Sequence, residues 1–307
     1  MRLGLFIGAV PTGLTLAEQV TQIIEAEKSG LDSFWLAQTG ETDVLTTIAL
    51  AGGETDRIEL GTGVIPTYTR HPNVLAQQAV TVNSAVGGRL LLGIGPSHKP
   101  NTEGLGLRYE RPAQHIREYV QILRSLTVEG EVDFRGEYYT GLTTRFNLEG
   151  STPFPILVSA LAPRMLQIAG ELADGTVTWM AGVTALRNYL IPEIRRAASE
   201  AGRSDPRVVV GVPVAVVDDQ EEGRSVASEV FSVYGKLDNY RRILDRGEVE
   251  GPASVAITGD ENSVASQIEE YASIGVTDLV AMPYPVGANK ENSLSRTRDL
   301  LVNITSA

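Results

Sequence analysis

The stretch "RLLLGIGPSHKPN", Arg89 to Asn101, decides how the chain folds. Three leucines run into Gly93-Ile94-Gly95, and the apolar character stops at Pro96. A short continuous apolar run bounded by glycine and proline fits a strand covered on both faces, as in a parallel sheet. Glycines at its end let backbone approach something bulky. The loop is not a dinucleotide fingerprint, because the third glycine position of G-x-G-x-x-G is His98 and the next good helix starts near Arg111. It is not a Walker loop either, since no Gly-Lys-Ser/Thr follows.

The same pattern recurs on both sides. Apolar runs at 3–9, 33–37, 58–65, 89–95, 154–160, 175–181, 207–217 and 277–283 read as strands. Helical sequence follows each, at 15–30, 43–55, 73–88, 111–130, 162–173, 184–202, 219–246 and 261–275, with a last helix near 292–304. Asp43 is placed to cap the second helix. A small hairpin is expected over 131–139 with Arg135-Gly136 at its turn. Eight strand–helix units predict an α/β fold, the TIM (β/α)8 barrel, and a doubly wound sheet is the rival. No linker divides the chain, so residues 1–307 read as a single domain with insertion segments at about 101–153 and 235–258.

A net charge of −12 argues against broad binding of nucleic acid or an anionic membrane. With no cysteine, disulfides, thiolate metal sites and thiol catalysis are excluded. Of the three histidines, His71, His98 and His115, no pair has metal-ligand spacing, so no metal is expected. Neither a secretory leader nor an apolar run of membrane-spanning length is evident, so a cytoplasmic protein is expected. No strand-end lysine suggests a Schiff base, no carboxylate pair a glycosidase, and no G-x-S-x-G elbow a hydrolase. Small, polar and aromatic residues gather instead at strand ends, as in Gln38-Thr39, "GTGVIPTYTRHP" and Trp179-Met180. An organic cofactor would then carry the chemistry.

The segments "LGTGVIPTYTRHPNVLAQQAVTVNSAVGGRLLLGIGPSH", "RPAQHIREYVQIL", "GEYYTG", "PILVSALAPRML" and "AGELADGTVTW" together resemble the luciferase-like monooxygenase superfamily, in particular its coenzyme F420-dependent oxidoreductases. The resemblance implies a luciferase-like barrel that transfers a hydride between a deazaflavin ring and a small organic substrate. An FMN-dependent monooxygenase using oxygen and a non-catalytic flavin-binding barrel are the alternatives. It also implies a non-prolyl cis peptide at Gly63-Val64 beside Thr62, supporting the ring. Gly95, Pro96, Ser97 and His98 would lie beside ring and ribityl chain. Ser159, Ala160, Arg164 and Met165 would form the phosphate region, and Trp179 would flank the ring. Many such relatives carry Asp-His at the end of strand two, where this chain has Gln38-Thr39. Gln38 can hydrogen-bond a ring or substrate but is no acid. The candidate catalytic groups are therefore His98, Gln38 and Tyr68, with His71, Glu103 and solvent as further proton sources. His115 is read as structural, on a helix facing solvent or a neighbour, and Trp35 as packing. Loops 66–72 and 96–110 are candidate lids. Pairing as a homodimer, through helix 43–51 or 73–86, is a further expectation.

Overall fold

The computed structural model describes residues 1–143, 146 and 149–306. Eight strands close into a parallel barrel. They are β1 (Arg2–Ile7), β2 (Ser33–Leu36), β3 (Glu59–Thr62), β4 (Leu90–Gly95), β5 (Ile156–Val158), β6 (Gly175–Trp179), β7 (Arg207–Val216) and β8 (Asp278–Pro283). Each pairs in parallel with the next, and β8 returns to β1 through Arg2↔Asp278 and Leu3↔Leu279. Closure leaves no open edge within the ring, which is why the strands tolerate continuous Val and Leu runs. The doubly wound alternative is thereby set aside.

Helices cover the outside, and local sequence sets their starts. Thr15 and Glu18 form a reciprocal capping box for helix Leu16–Lys28. Asp43 caps Val44–Gly52 through the Thr46 N–H, as its position predicts.

Three elements differ from the sequence reading, and in a fourth the structure shows how the expected helical segments divide. The third strand stops at Thr62, and Ile65–Pro66 resumes beside Ile94 and Gly95. The hairpin pairs Val132–Arg135 with Thr140–Thr143, so its turn is 136–139 and Arg135 is still in the strand. Expected helix 184–202 splits into Val183–Ala185, a π turn at Leu186–Leu190 and helix Ile191–Glu200. Pro192 lacks the N–H that a regular ladder needs there. Segment 219–246 is helix Gln220–Val230, a 3-10 turn at Ser232–Lys236 and helix Asp238–Arg246. The stretch 101–153, expected to be an insertion, lies between β4 and β5. The second such stretch, 235–258, lies between β7 and β8 and reaches into strand Ile257–Gly259, which pairs beside β7.

The lumen is filled by large rings set against glycine. Trp35 is fully buried, and a Cβ on Gly61 would fall within its indole. A Cβ on Gly211 would stand 3.0 Å from Trp179 Cε3, and one on Gly63 would stand 3.1 Å from Phe6 Cε2. Three aromatic rings thus occupy space that three glycines vacate, which keeps the interior close-packed. At the amino end, Arg207 reaches across the barrel to Glu59 on β3 (2.5 Å) and to the fully buried Asp278 on β8 (2.6 Å). Among the described residues, no helix is long and apolar enough to cross a membrane.

Candidate active site

At the carboxyl rim of β3, β4 and β5, neighbouring side chains close in on glycine backbone. A Cβ on Gly95 would stand 2.5 Å from Ser159 Oγ and 3.0 Å from Val64 Cγ2. Three segments far apart in sequence therefore meet at one glycine. The Gly63–Val64 peptide is cis, as the resemblance implies. Its chain is held by Gly63 N–H donating to Leu36 O (2.8 Å) and Gln38 N–H donating to Val64 O (3.4 Å). Thr62 is fully buried, and its hydroxyl both donates to Gly93 O and accepts from Gly93 N–H, each at 2.8 Å. That side chain locks β3 to β4. Beyond Pro96, Ser97 has φ +60°, a left-handed conformation that non-glycine residues rarely adopt and that recurs at ligand-binding loops.

Ser159 is anchored by its N–H donating to Ile94 O at 2.8 Å, and Ala160 is buried beside it. Helix Pro163–Leu172 follows. No side chain caps it at Ala162, so the first-turn N–H groups of Arg164 and Met165 have no helical acceptor. Arg164 is exposed and Met165 half-buried.

The opposite side of the rim is aromatic. Trp179 meets Phe6 (ring centroids 5.3 Å apart) and Tyr234 (5.8 Å), both edge to face. Tyr234 meets Tyr240 at 5.0 Å, and Tyr240 meets His98 at 5.6 Å. The Tyr234 hydroxyl donates to Ala9 O, just past β1. The Trp179 indole N–H is buried without a hydrogen-bond acceptor. Trp179 precedes Met180, another non-glycine residue with positive φ (+58°). His98 is half-buried, and burial lowers its pKa, so at neutral pH it is an uncharged imidazole.

The remaining candidates separate into groups. Gln38 Oε1 accepts from Val44 N–H at 3.3 Å, which commits it to the start of a helix. Tyr68 donates to Glu110 O at 3.2 Å, and burial raises its pKa far above neutral. His71 caps helix Pro72–Ala85 by accepting from Asn73 N–H. Glu103 is exposed and lies 3.8 Å from Lys99. His115 does not face solvent. It is 2 % exposed, stacks on Tyr68 (3.7 Å, 11°), lies 2.9 Å from Thr67 Oγ1 and 3.3 Å from the Tyr139 hydroxyl. The hairpin turn, through Tyr138 and Tyr139, and the loop carrying Thr67 and Tyr68 cover the helix face that the sequence left open. Burial pulls the His115 pKa down to about 4, against attraction from Glu118.

Residues that the sequence did not single out also shape the rim. Phe6, Tyr234 and Tyr240 build its aromatic side, and Arg70 pairs with Asp43 next to Gln38. Glu118, 2 % exposed, accepts from the backbone N–H groups of Glu137 (2.9 Å), Tyr138 (2.8 Å) and Tyr139 (3.1 Å). Glu118 stands on the apolar face of "HIREYVQIL", a signal present in the sequence; nothing in the sequence joins Tyr240 to His98. Among the described residues, no group of three or more His, Asp or Glu is placed to hold a metal ion.

Fold and rim together define a (β/α)8-barrel enzyme whose site is assembled from loops at the carboxyl ends of the strands. The family described as luciferase-like monooxygenase matches residues 1–278, and the chain belongs to it. It is 27% identical over 314 aligned positions to the 5,10-methylenetetrahydromethanopterin reductase of Methanopyrus kandleri, with 88% of this chain and 89% of that protein covered. It is 26% identical to the F420-dependent glucose-6-phosphate dehydrogenase of Kineococcus radiotolerans over 84% of each. Among solved structures, an F420-dependent secondary alcohol dehydrogenase in complex with an F420-acetone adduct matches with a TM-score of 0.79 at 19% identity. That match covers 97% of both chains and bears on the fold alone.

Proposed function

We propose that the protein is a coenzyme F420-dependent oxidoreductase that moves a hydride between the deazaflavin ring and a small organic substrate. The observation that carries this reading is the rim where Gly63, Val64, Gly95 and Ser159 converge, with glycine keeping the β4 end free of a side chain of its own. Such a surface admits a flat ring against backbone. Similarity to an F420-dependent dehydrogenase over 84% of each chain supports the choice of ring.

The chain's own groups then have distinct tasks. Gly63, Val64 and Gly95 back the ring, Pro96, Ser97 and His98 border it, and Trp179 flanks it. Thr62 acts through the strand that carries Gly63. Ser159, Ala160 and the uncapped N–H groups at Arg164 and Met165 suit a phosphate, with the Arg164 guanidinium adding charge. When bound, the deazaflavin supplies a ring carbon that gives or takes a hydride. The barrel contributes positioning and exclusion of water. Gln38, neutral His98 and hydrogen-bonded Tyr68 orient groups; none is a charged acid at pH 7. Loops 66–72 and 96–110 act as lids. Leu50 and Val74, exposed on helices Val44–Gly52 and Pro72–Ala85, are the apolar groups that pairing of two copies would cover.

The test is a fluorimetric titration of the purified protein with F420 and, separately, FMN. Saturable, selective F420 binding is expected. Selective FMN binding would move the chain to the oxygen-using branch, and F420 binding with no turnover across many substrates would mark a carrier.

A further inference from the structure

The loop after β4 is built round one uncommon backbone conformation. Ser97, with φ +60°, turns the chain in the left-handed region between Pro96 and His98, the two residues assigned above to the border of the ring. Glycine enters that region freely; a serine stays there only where its surroundings hold it. Among the hydrogen bonds of the described residues, Ser97 takes part in one: its carbonyl accepts from the Tyr109 hydroxyl at 3.3 Å.

Tyr109 is itself fixed. Its ring lies against Tyr68 (centroids 5.3 Å apart), and Tyr68 stacks on the buried His115. The next carbonyl, that of Glu110, accepts from the hydroxyls of both Tyr68 (3.2 Å) and Tyr138 (3.0 Å). Arg111 then pairs with Glu137 on the hairpin turn. Residues 109–111 are thus held to the loop after β3 and to the hairpin, and the Tyr109 phenol carries that hold across to Ser97. Burial raises its pKa, so the hydroxyl keeps its proton and donates at neutral pH. Between the two residues runs helix Lys99–Gly104, which starts from His98, with Thr102 N–H donating to His98 O at 3.0 Å. Releasing Ser97 would therefore shift His98 and the first turn of that helix together.

We propose that Tyr109 is a positioning residue of the candidate active site: its hydroxyl holds Ser97 in the left-handed turn that places Pro96 and His98 beside the ring. That the ring is a deazaflavin rests on the F420 reading above; that Tyr109 holds the turn does not.

The experiment combines hydrogen exchange at the Thr102 amide of the ligand-free protein with fluorimetric titration of F420. Both are measured on the wild type, Tyr109→Phe, Ser97→Gly and the double variant. Tyr109→Phe keeps the ring and removes only the hydroxyl. Thr102 exchange is expected to quicken, and F420 affinity to fall, each by about fivefold, as the loss of one neutral hydrogen bond gives. Glycine takes positive φ without a Cβ penalty, so in the Ser97→Gly background the same substitution is expected to change affinity by less than about twofold. Whatever the Ser97 hydroxyl contributes is common to both members of that pair and drops out of the comparison. A packing role alone would give equal losses in the two backgrounds and overturns the proposal. So does native Thr102 exchange or native F420 affinity in Tyr109→Phe. Should Tyr109→Phe not fold, the double variant is expected to fold, and its failure overturns the proposal as well. Absence of F420 binding by the wild type sinks the F420 reading alone, because Thr102 exchange in the ligand-free protein still decides whether Tyr109 holds the turn.

Discussion

Gly95 and Ser159 face each other across the β4–β5 seam so closely that a Cβ on Gly95 would stand 2.5 Å from Ser159 Oγ. Gly95→Ala therefore has to displace Ser159 or the Val64 methyl 3.0 Å away. F420 affinity should fall by at least about tenfold, with a loss of about 1–3 kcal/mol in stability from overpacking. Adding Ser159→Ala should restore much of the stability, because the Oγ is gone, but less of the affinity, because the new methyl still presses on Val64 Cγ2, 3.0 Å away, which backs the ring. Fluorimetric titration and urea unfolding of the single and double variants separate the two effects. Unchanged F420 affinity in Gly95→Ala would contradict the ring-backing role.

Glu118 holds a turn that hydrophobic packing does not. Its carboxylate collects three consecutive N–H groups, of Glu137, Tyr138 and Tyr139, and the Gln114 amide at 2.9 Å. Glu118→Ala leaves those partly buried donors without their shared acceptor, at about 1 kcal/mol each, so a loss of about 3 kcal/mol is expected. Hydrogen exchange should quicken at 137–139 well before the barrel strands respond. Protection that stays native at these amides would show that the hairpin is held by other contacts.

The His115 imidazole makes stability depend on pH in a known direction. In the folded protein its pKa is held down to about 4, whereas the unfolded chain takes up the proton near 6.5. The unfolded state therefore binds more protons below pH 6.5. The stability tied to a neutral His115 is complete above that pH, declines between about 6.5 and 4, and levels off below. The full span is about 3 kcal/mol, and about 2 kcal/mol is lost by pH 5. Urea unfolding at pH 7.5 and pH 5 should show the wild type losing that much more than His115→Gln. Parallel losses in the two proteins would mean that His115 is protonated as readily folded as unfolded.

Barrel strands were legible because parallel strands buried on both faces must be apolar throughout, a signal that needs no tertiary knowledge. Asp43 was legible for a similar reason, since a cap bonds only to its own helix. His115 was not. Whether a helical histidine faces solvent depends on what folds over it, here Tyr68 and Tyr139 from other segments. The hairpin turn was misplaced because Arg135-Gly136 looks like a tight turn, while the register is set by Glu118 gathering the next three amides. Of the site, the glycine rim could be read from strand ends plus resemblance. Its aromatic side could not, because Tyr240 meets His98 only after the chain has crossed the barrel.

Arg207 supplies the last prediction, at the far end of the barrel from the site. Its guanidinium donates to both oxygens of Glu59 (3.1 and 2.5 Å) and to both of Asp278 (2.6 and 2.9 Å), and those carboxylates hold its pKa well above the ordinary arginine value despite burial. Asp278 is fully buried, so in Arg207→Leu its charge is left with Arg2 Nε at 3.0 Å and the Thr277 hydroxyl as partners. Removing one member of a buried ion pair typically costs about 3–5 kcal/mol, chiefly through the charge left behind. A loss of about 3 kcal/mol is expected because Arg2 remains. Arg207→Leu with Asp278→Asn should recover part of it by removing that charge, whereas additive losses would mean the cluster works only as two separate contacts. The site lies at the opposite rim, so F420 affinity of the folded single variant should match the wild type. A drop in affinity at unchanged fold would show that this end of the barrel and the ligand rim are coupled.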